Sequence, residues 1–280
     1  MMKRFFAFVF LFFITGCALF NQTRIVWVQS GQEDNLVYVR IDGLQNAGSN
    51  KMAVIQHGLA SNMNHVAVQS AKKAFLDNGY VVVSFDGRYS LGKGNNDVEK
   101  ASLTSFNEDL KSVIKWTQTQ MFYGEPFVIV GHSLGGASVI EYAGNHPELA
   151  DALIPITPVI NSKSWEKSCM TNMTDFCKEW KQKGTYEYTD PDNHKKAIIP
   201  YSIIASCDNY DANNSAKKIK AKTLLVGAEK DIIIDPKDLQ NLSKKFDNGK
   251  AIIIKSADHN FSNEQNQSDL YQAIDLFLKQ

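Results

Sequence analysis

The chain has 280 residues, 44% of them hydrophobic and 21% charged, which is enough for one large domain or two small ones around a buried core. Thirty basic residues balance thirty acidic ones, so no net field recruits nucleic acid. No internal repeat or low-complexity linker divides the chain, and Arg4, Arg24, Arg40 and Arg88 are its only arginines.

The first residues differ from the rest. Met1-Met2-Lys3-Arg4 is a short cationic segment, and FFAFVFLFFITG (5–16) follows without a charge. That run is too short to span a bilayer comfortably, and Asn21-Gln22-Thr23 comes soon after, so it reads as a secretory signal. Ile14-Thr15-Gly16-Cys17 resembles the lipobox of bacterial lipoproteins, in which small residues precede a cysteine that is lipidated. The resemblance implies a signal peptide over 1–16, a mature domain over 17–280 and lipidation at Cys17. It also implies anchoring in the bacterial cell envelope. Ala18, in place of aspartate, resembles outer-membrane sorting with the protein on the periplasmic side. The alternative is a buried cysteine that happens to follow a signal peptide.

From Arg24 onward strand-like apolar runs occur at 24–28, 36–41, 52–56, 80–85, 127–130, 152–157, 223–227 and 251–255. Helical periodicity fills roughly 66–77, 104–121, 134–145, 236–246 and 268–279. The first two strands are joined by Ser30–Asn35 and read as a hairpin. The later ones are continuously apolar and alternate with helices, as strands covered on both faces do. An α/β sandwich with an antiparallel leading edge follows. Between about 160 and 221 the rhythm fails, yet Trp165, Phe176, Trp180, Tyr186, Tyr188, Tyr201 and Tyr210 crowd there. Such an insertion reads as a cap over the carboxyl edge of the sheet, where open α/β sheets bind ligands.

VIVGHSLGGASVI (128–140) runs from a strand through a tight turn into a small-residue helix. In that context Gly-x-Ser-x-Gly marks Ser133 as an exposed nucleophile, with free N–H groups of the following helix facing any developing negative charge. Here the chain resembles the α/β-hydrolase family over nearly all of the mature sequence. The resemblance implies a mostly parallel central sheet with helices on both faces, a small cap insertion, and the order nucleophile, acid, histidine. Asp231 follows the strand TLLVG, and His259 follows the strand AIIIK within Ser256-Ala257-Asp258-His259-Asn260-Phe261. Asp235 and Glu229 compete with Asp231 for the acid. Among the other histidines, His57 resembles the family's oxyanion loop, and His132 points elsewhere on the turn. His146 lies at a helix end and His194 in the cap. A histidine near neutral pKa can take the serine proton, and a carboxylate behind it fixes its tautomer. Leu134 N–H supplies one oxyanion donor by its place after the nucleophile; Leu59 N–H, in His57-Gly58-Leu59, is carried over by the resemblance. Phe85–Gly92 resembles the family's Asp-x-Arg-Gly-x-Gly loop, although Tyr89-Ser90 interrupts it, and Asp86 and Arg88 read as structural.

The function expected is a serine hydrolase acting on carboxylic esters or other small acyl substrates. A thioesterase or peptidase could use the same triad, and a non-catalytic binding lipoprotein could share the fold. No cofactor and no metal are expected, since no Cys/His spacing suggests a metal site, and nothing in the sequence sets an oligomeric state. With Cys17 lipidated, Cys169, Cys177 and Cys207 remain. Trp165, Cys169, Met173, Phe176 and Trp180 form a helical stripe. On one continuous helix Cys169 and Cys177 would lie about 12 Å apart, beyond the roughly 7 Å a disulfide spans. Asn172 or Thr174 as a helix cap and Asp175 in a first turn favour a break there. Two short helices pinned by Cys169–Cys177, with Cys207 left over, are therefore expected.

Overall fold

The computed structural model describes residues 23–31, 35–191 and 193–280; the expected signal peptide and Cys17 lie outside the described residues. β1 (Arg24–Gln29) and β2 (Leu36–Asp42) pair antiparallel as the expected hairpin. Then β3 (Met52–Gln56), α1 (Val66–Asp77), β4 (Val81–Asp86), α2 (Leu103–Thr117), β5 (Phe127–His132), α3 (Leu134–Asn145) and β6 (Ala150–Ile156) alternate. An excursion follows: α4 (Ser162–Asn172), α5 (Thr174–Lys183), the hairpin strands β7 (Thr185–Thr189) and β8 (Lys196–Pro200), α6 (Ser202–Ala205) and α7 (Ala212–Ala216). The alternation resumes with β9 (Lys222–Ala228), α8 (Pro236–Ser243), β10 (Gly249–Ile254) and α9 (Glu264–Leu278).

Eight strands form one sheet in the order β1-β2-β4-β3-β5-β6-β9-β10. β3, β4, β5, β6, β9 and β10 run parallel, and β2 is antiparallel to both of its neighbours, β1 and β4. Every residue of β3, β4 and β5 is buried, because successive side chains feed opposite layers. Ala53, Ile55 and Val82 pack with Phe75 of α1 and Leu270 and Ile274 of α9. Met52, Val54 and Phe85 pack with Leu110 of α2 and Ile140 of α3. Burying each large apolar side chain contributes about 1.5–3 kcal/mol. Truncating Phe75, which has no solvent exposure, should therefore cost about 3–5 kcal/mol.

Helix ends follow local chemistry. The Ser102 hydroxyl accepts the Ser105 N–H and the Ser105 side chain accepts the Ser102 N–H, a reciprocal cap that starts α2. α2 ends at Thr117 rather than at the expected 121, and turn residues carry Met121 into solvent. α9 begins at Glu264, four residues before the expected 268, because the Asn263 side chain caps it by accepting the Asn266 N–H at 2.8 Å.

The excursion is pinched at its base, where Asn161 and Asp211 form an antiparallel bridge and the Ala212 N–H donates to the Ile160 carbonyl. α7 lies beyond that pinch and packs on α3, so the cap proper runs from 161 to 211. Met173 (φ −137°, ψ 48°) breaks the stripe into α4 and α5, and the Cys169–Cys177 disulfide joins them with Cα atoms 5.7 Å apart. Neither expected cap is used. The Thr174 hydroxyl donates back to the Met170 carbonyl, and the Asn172 amide donates to the Ile232 carbonyl on the far side of the molecule's mouth. Trp180 holds the cap together: its indole N–H donates to the Ile199 carbonyl at 2.9 Å, and its ring meets Tyr186 and Tyr201 edge-on at 5.0 Å each. Cys207 is the free cysteine among the described residues, and burial pushes its thiol up to about 12, which keeps it protonated and inert.

Candidate active site

β5 ends and α3 begins with no connecting residue but Ser133, which sits at φ 55° and ψ −117°. That backbone is strained for any residue with a Cβ, and it turns the hydroxyl out of the sheet. The flanking glycines are required by closeness rather than by torsion. A Cβ on Gly131 would stand 2.2 Å from the Gly135 carbonyl oxygen, and one on Gly135 would stand 2.3 Å from that of His57. The Ser133 N–H donates to the Ile156 carbonyl, and the Val159 N–H donates to the Ser133 carbonyl, so both sides of the turn are fixed.

The loops after β9 and β10 bring the other two expected residues to this turn. Asp231 Oδ1 accepts the N–H groups of Ile233 and Ile234 at 2.8 and 2.9 Å, which aims Oδ2 at His259 Nδ1, 2.8 Å away. A carboxylate can only accept here, so Nδ1 carries the hydrogen and the Nε2 lone pair faces the hydroxyl of Ser133 at 2.9 Å. Asp231 and His259 are both buried. The competing carboxylates are occupied elsewhere: Asp235 caps α8 by accepting the Lys237 N–H, and Glu229 accepts the Ser256 N–H.

The N–H of Leu134 is the first of α3, among the amides that have no acceptor inside the helix. Gly58 and Leu59 line the same cavity as Ser133, and a Cβ on Gly58 would lie 3.0 Å from the Ser133 Cβ, so this loop packs directly on the turn. His57 braces it from behind. Its Nδ1–H donates to the Gly58 carbonyl, its Nε2 accepts the Gly87 N–H, and burial pushes its pKa down. Asp86 and Arg88 are structural, each with its own partners: Asp86 accepts the N–H groups of Met63 and Lys93, while Arg88 meets Glu108 and Asp109. His194 is exposed in the cap, and His146 sits beside Tyr142 at the end of α3.

A cavity of about 460 Å³ opens over Ser133 and His259. Trp165, Cys169, Met173, Phe176 and Trp180, the expected stripe, form its roof. Ser61, His65, Asp190 and Asn260 make its polar side.

The family model described as serine aminopeptidase, S33 (Hydrolase_4) matches residues 48–266. The chain belongs to that family. This Hydrolase_4 protein is an α/β-hydrolase of the serine-hydrolase type. It is 25% identical over 218 residues to the mouse palmitoyl-protein thioesterase ABHD10, mitochondrial, covering 76% of this chain and 68% of that protein. To the bovine ABHD10 it is 24% identical over 263 residues, covering 91% and 80%. Among solved structures, Est1E from Butyrivibrio proteoclasticus with bound ferulic acid superposes with a TM-score of 0.69 at 17% identity, covering 91% of this chain and 98% of that one. Mouse alpha/beta hydrolase domain-containing protein 10 gives 0.67 at 19%, with coverages of 91% and 98%.

The hydrolase also gathers two histidines that sequence reasoning left without a role. His132, expected to point elsewhere, lies against His259 with ring centroids 5.2 Å apart, and His65 stacks on His132 at 4.8 Å. Burial holds both neutral: His65 is lowered to about 4 and His132 well below the ordinary histidine value. No sequence signal marks them beyond the place of His132 inside the turn, because their partners lie on distant loops.

Proposed function

We propose that this hydrolase cleaves carboxylic esters with small or apolar acyl groups through an acyl-enzyme on Ser133, with His259 as base and Asp231 as its orienter. The observation that carries this reading is the unbroken hydrogen-bonded line Asp231–His259–Ser133 beneath an apolar cavity. Ser133 Oγ attacks the acyl carbon as its proton passes to His259 Nε2. Asp231 stabilises the imidazolium without taking a proton. The tetrahedral oxyanion is met by the N–H groups of Leu134 and Leu59, each contributing about 3 kcal/mol in the transition state. His259 then returns the proton to the leaving alcohol. Water repeats the sequence on the acyl-enzyme and releases the acid.

A thioester reading shares every step except the leaving group, which departs as a thiol. It is favoured by the ABHD10 relatives, named as palmitoyl-protein thioesterases, and by the apolar roof. The family's description names a peptidase, whose amide leaving group needs full protonation by the same histidine. Labelling with a fluorophosphonate, followed by kcat/KM on matched acyl esters, thioesters and amides, tests the reading. Ser133 should be the modified residue, and esters or thioesters should exceed amides. Turnover of amides alone would leave a peptidase, and absence of both labelling and turnover would leave a binding protein.

The same reading tethers the protein by lipid at Cys17 on the periplasmic side of the outer membrane, with the signal peptide 1–16 removed. The lipobox-like Ile14-Thr15-Gly16-Cys17 supports it. Strand register puts Arg24, the first residue of β1, beside Ile41 and toward the end of the sheet opposite Asp86, which agrees with a tether on that side. At least two acyl chains are needed for stable anchoring. Cys17→Ser should release the protein from membranes without detergent; retention of that variant would count against lipidation.

A further inference from the structure

A catalytic histidine must hold its ring still while its charge changes, and His259 sits on a loop tied on either side of it, where the Lys230 N–H donates to the Ala257 carbonyl and the Phe261 N–H to the Asp258 carbonyl. Ser256 and Phe261, which bracket it, both have positive φ (58° and 55°). Asp231 fixes the ring at Nδ1, but nothing in that bond fixes the backbone beneath the ring. Two further contacts reach the carbonyl of residue 259 itself.

His132 Nε2 lies 3.0 Å from the carbonyl oxygen of His259. A carbonyl accepts, so the hydrogen is on Nε2 of His132; its Nδ1 is left without a partner, facing Gly58. The Thr157 hydroxyl reaches the same oxygen from 3.5 Å. His65 stacks on His132 at an interplanar angle of 19°, and its Nδ1 caps α1 by accepting the Ala67 N–H at 3.3 Å. Its other nitrogen is therefore the protonated one, and the ring lines the same cavity as Asn260. His132 holds the carbonyl of residue 259, and His65 backs the ring of His132. The first comes from the rigid end of β5 and the second from the start of α1.

We propose that His132, backed by the stacked ring of His65, is a positioning residue that clamps the His259 carbonyl and keeps His259 Nε2 aimed at Ser133 Oγ through the imidazole–imidazolium cycle. The proposal rests on the triad reading above. Neutrality is part of the design. The titratable groups facing His132 are His57, His65 and His259, with Asp190 beside His65, so a proton on either clamp ring would set a second positive charge next to the forming imidazolium. The buried setting that denies them that proton lets His259 ionise alone.

Two substitutions separate the donor from the ring. His132→Phe keeps an aromatic face for His65 but removes the N–H; His132→Gln keeps an N–H donor at similar reach and removes the ring. His132→Phe should lower kcat and the rate of fluorophosphonate labelling by about 10- to 100-fold with KM within about 2-fold, as expected for a displaced but intact base. His132→Gln should recover most of that loss. His65→Leu, at the cavity wall, should show a smaller fall with the same kcat-only pattern, and it carries the test if His132→Phe does not fold. Labelling of a folded His132→Phe at the wild-type rate would overturn the proposal. So would equal losses in the Phe and Gln variants, or an effect confined to KM. Wild-type labelling at Ser133 is the reference: if it fails, the triad reading fails, and the clamp, having no reaction to serve, falls with it.

Discussion

The turn at Ser133 and the cap above it are held by different forces. At the turn, backbone meets backbone: a Cβ on either flanking glycine would overlap a carbonyl oxygen, and the serine torsions are strained. In the cap, side chains meet side chains, with one disulfide, a ring cluster around Trp180 and two short helices interrupted at Met173. The first arrangement tolerates no change of shape, which suits groups that must stay within tenths of an ångström of a reacting atom. The second can be repacked without unfolding the sheet, which suits the selection of an acyl group. On the proposed function, chemistry and choice fall to separately held regions of one cavity.

Ser133→Ala should have the largest effect, abolishing covalent labelling and lowering kcat by about 10⁴- to 10⁶-fold, with His259→Ala comparable because such residues act as a unit. A steady-state assay on a short-chain ester measures both. Asp231→Asn comes next, at about 10⁴-fold in kcat, since the wrong tautomer would face Ser133. Asp235→Asn should keep activity within a few-fold, because its carboxylate only caps α8. The reverse order in the same assay would move the acid to Asp235.

Changes in the cap should be smaller and should fall on KM. Trp165→Ala is expected to raise KM for bulky aryl or long-chain esters about 10-fold while leaving kcat for acetyl esters within a few-fold. The Cys169→Ala/Cys177→Ala pair should do likewise and lower Tm, read by thermal unfolding. Loss of acetyl-ester kcat in either variant would mean that the cap also holds the catalytic groups.

The smallest effect expected is on stability in acid. Unfolded, His65 takes up a proton below about pH 6.5; folded, it does so only near pH 4. The unfolded chain therefore binds more protons in that window, and stability present above it is lost as pH falls from about 6.5 towards 4. His132, lowered still further, adds to the same trend. Denaturant titrations across that window should show a shallower loss in His65→Leu than in the wild type; an unchanged slope would show that the ring protonates without penalty.

Much of this site was legible because its signals are local. VIVGHSLGG contains its own strand, turn and helix, and Asp231 and His259 each follow an apolar strand whose end had to reach the same sheet edge. The cap was legible only in part. The aromatic stripe followed from helical spacing and the pairing of Cys169 with Cys177 from the break expected near Asn172–Asp175, but β7 and β8 were not expected, although Thr185–Thr189 alternates half-buried and exposed residues as an edge hairpin does. The two expected caps at Asn172 and Thr174 failed because tertiary and preceding-turn carbonyls, of Ile232 and Met170, offered these side chains better acceptors.

Sequence by itself determined what depends on residues close along the chain: the alternation of apolar strands and amphipathic helices, the glycine-flanked serine, and the order in which Ser133, Asp231 and His259 follow their strands. Only the tertiary structure decided which carboxylate faces His259, where the cap is pinched shut, and that His132, with His65 stacked on it, lies against the histidine loop. Those outcomes turn on single hydrogen bonds between segments as much as 127 residues apart, such as that from His132 to the His259 carbonyl. A hydrogen bond is directional and short-ranged, so its partner is set by where the folded backbone brings each acceptor and leaves no periodic trace in the residues themselves.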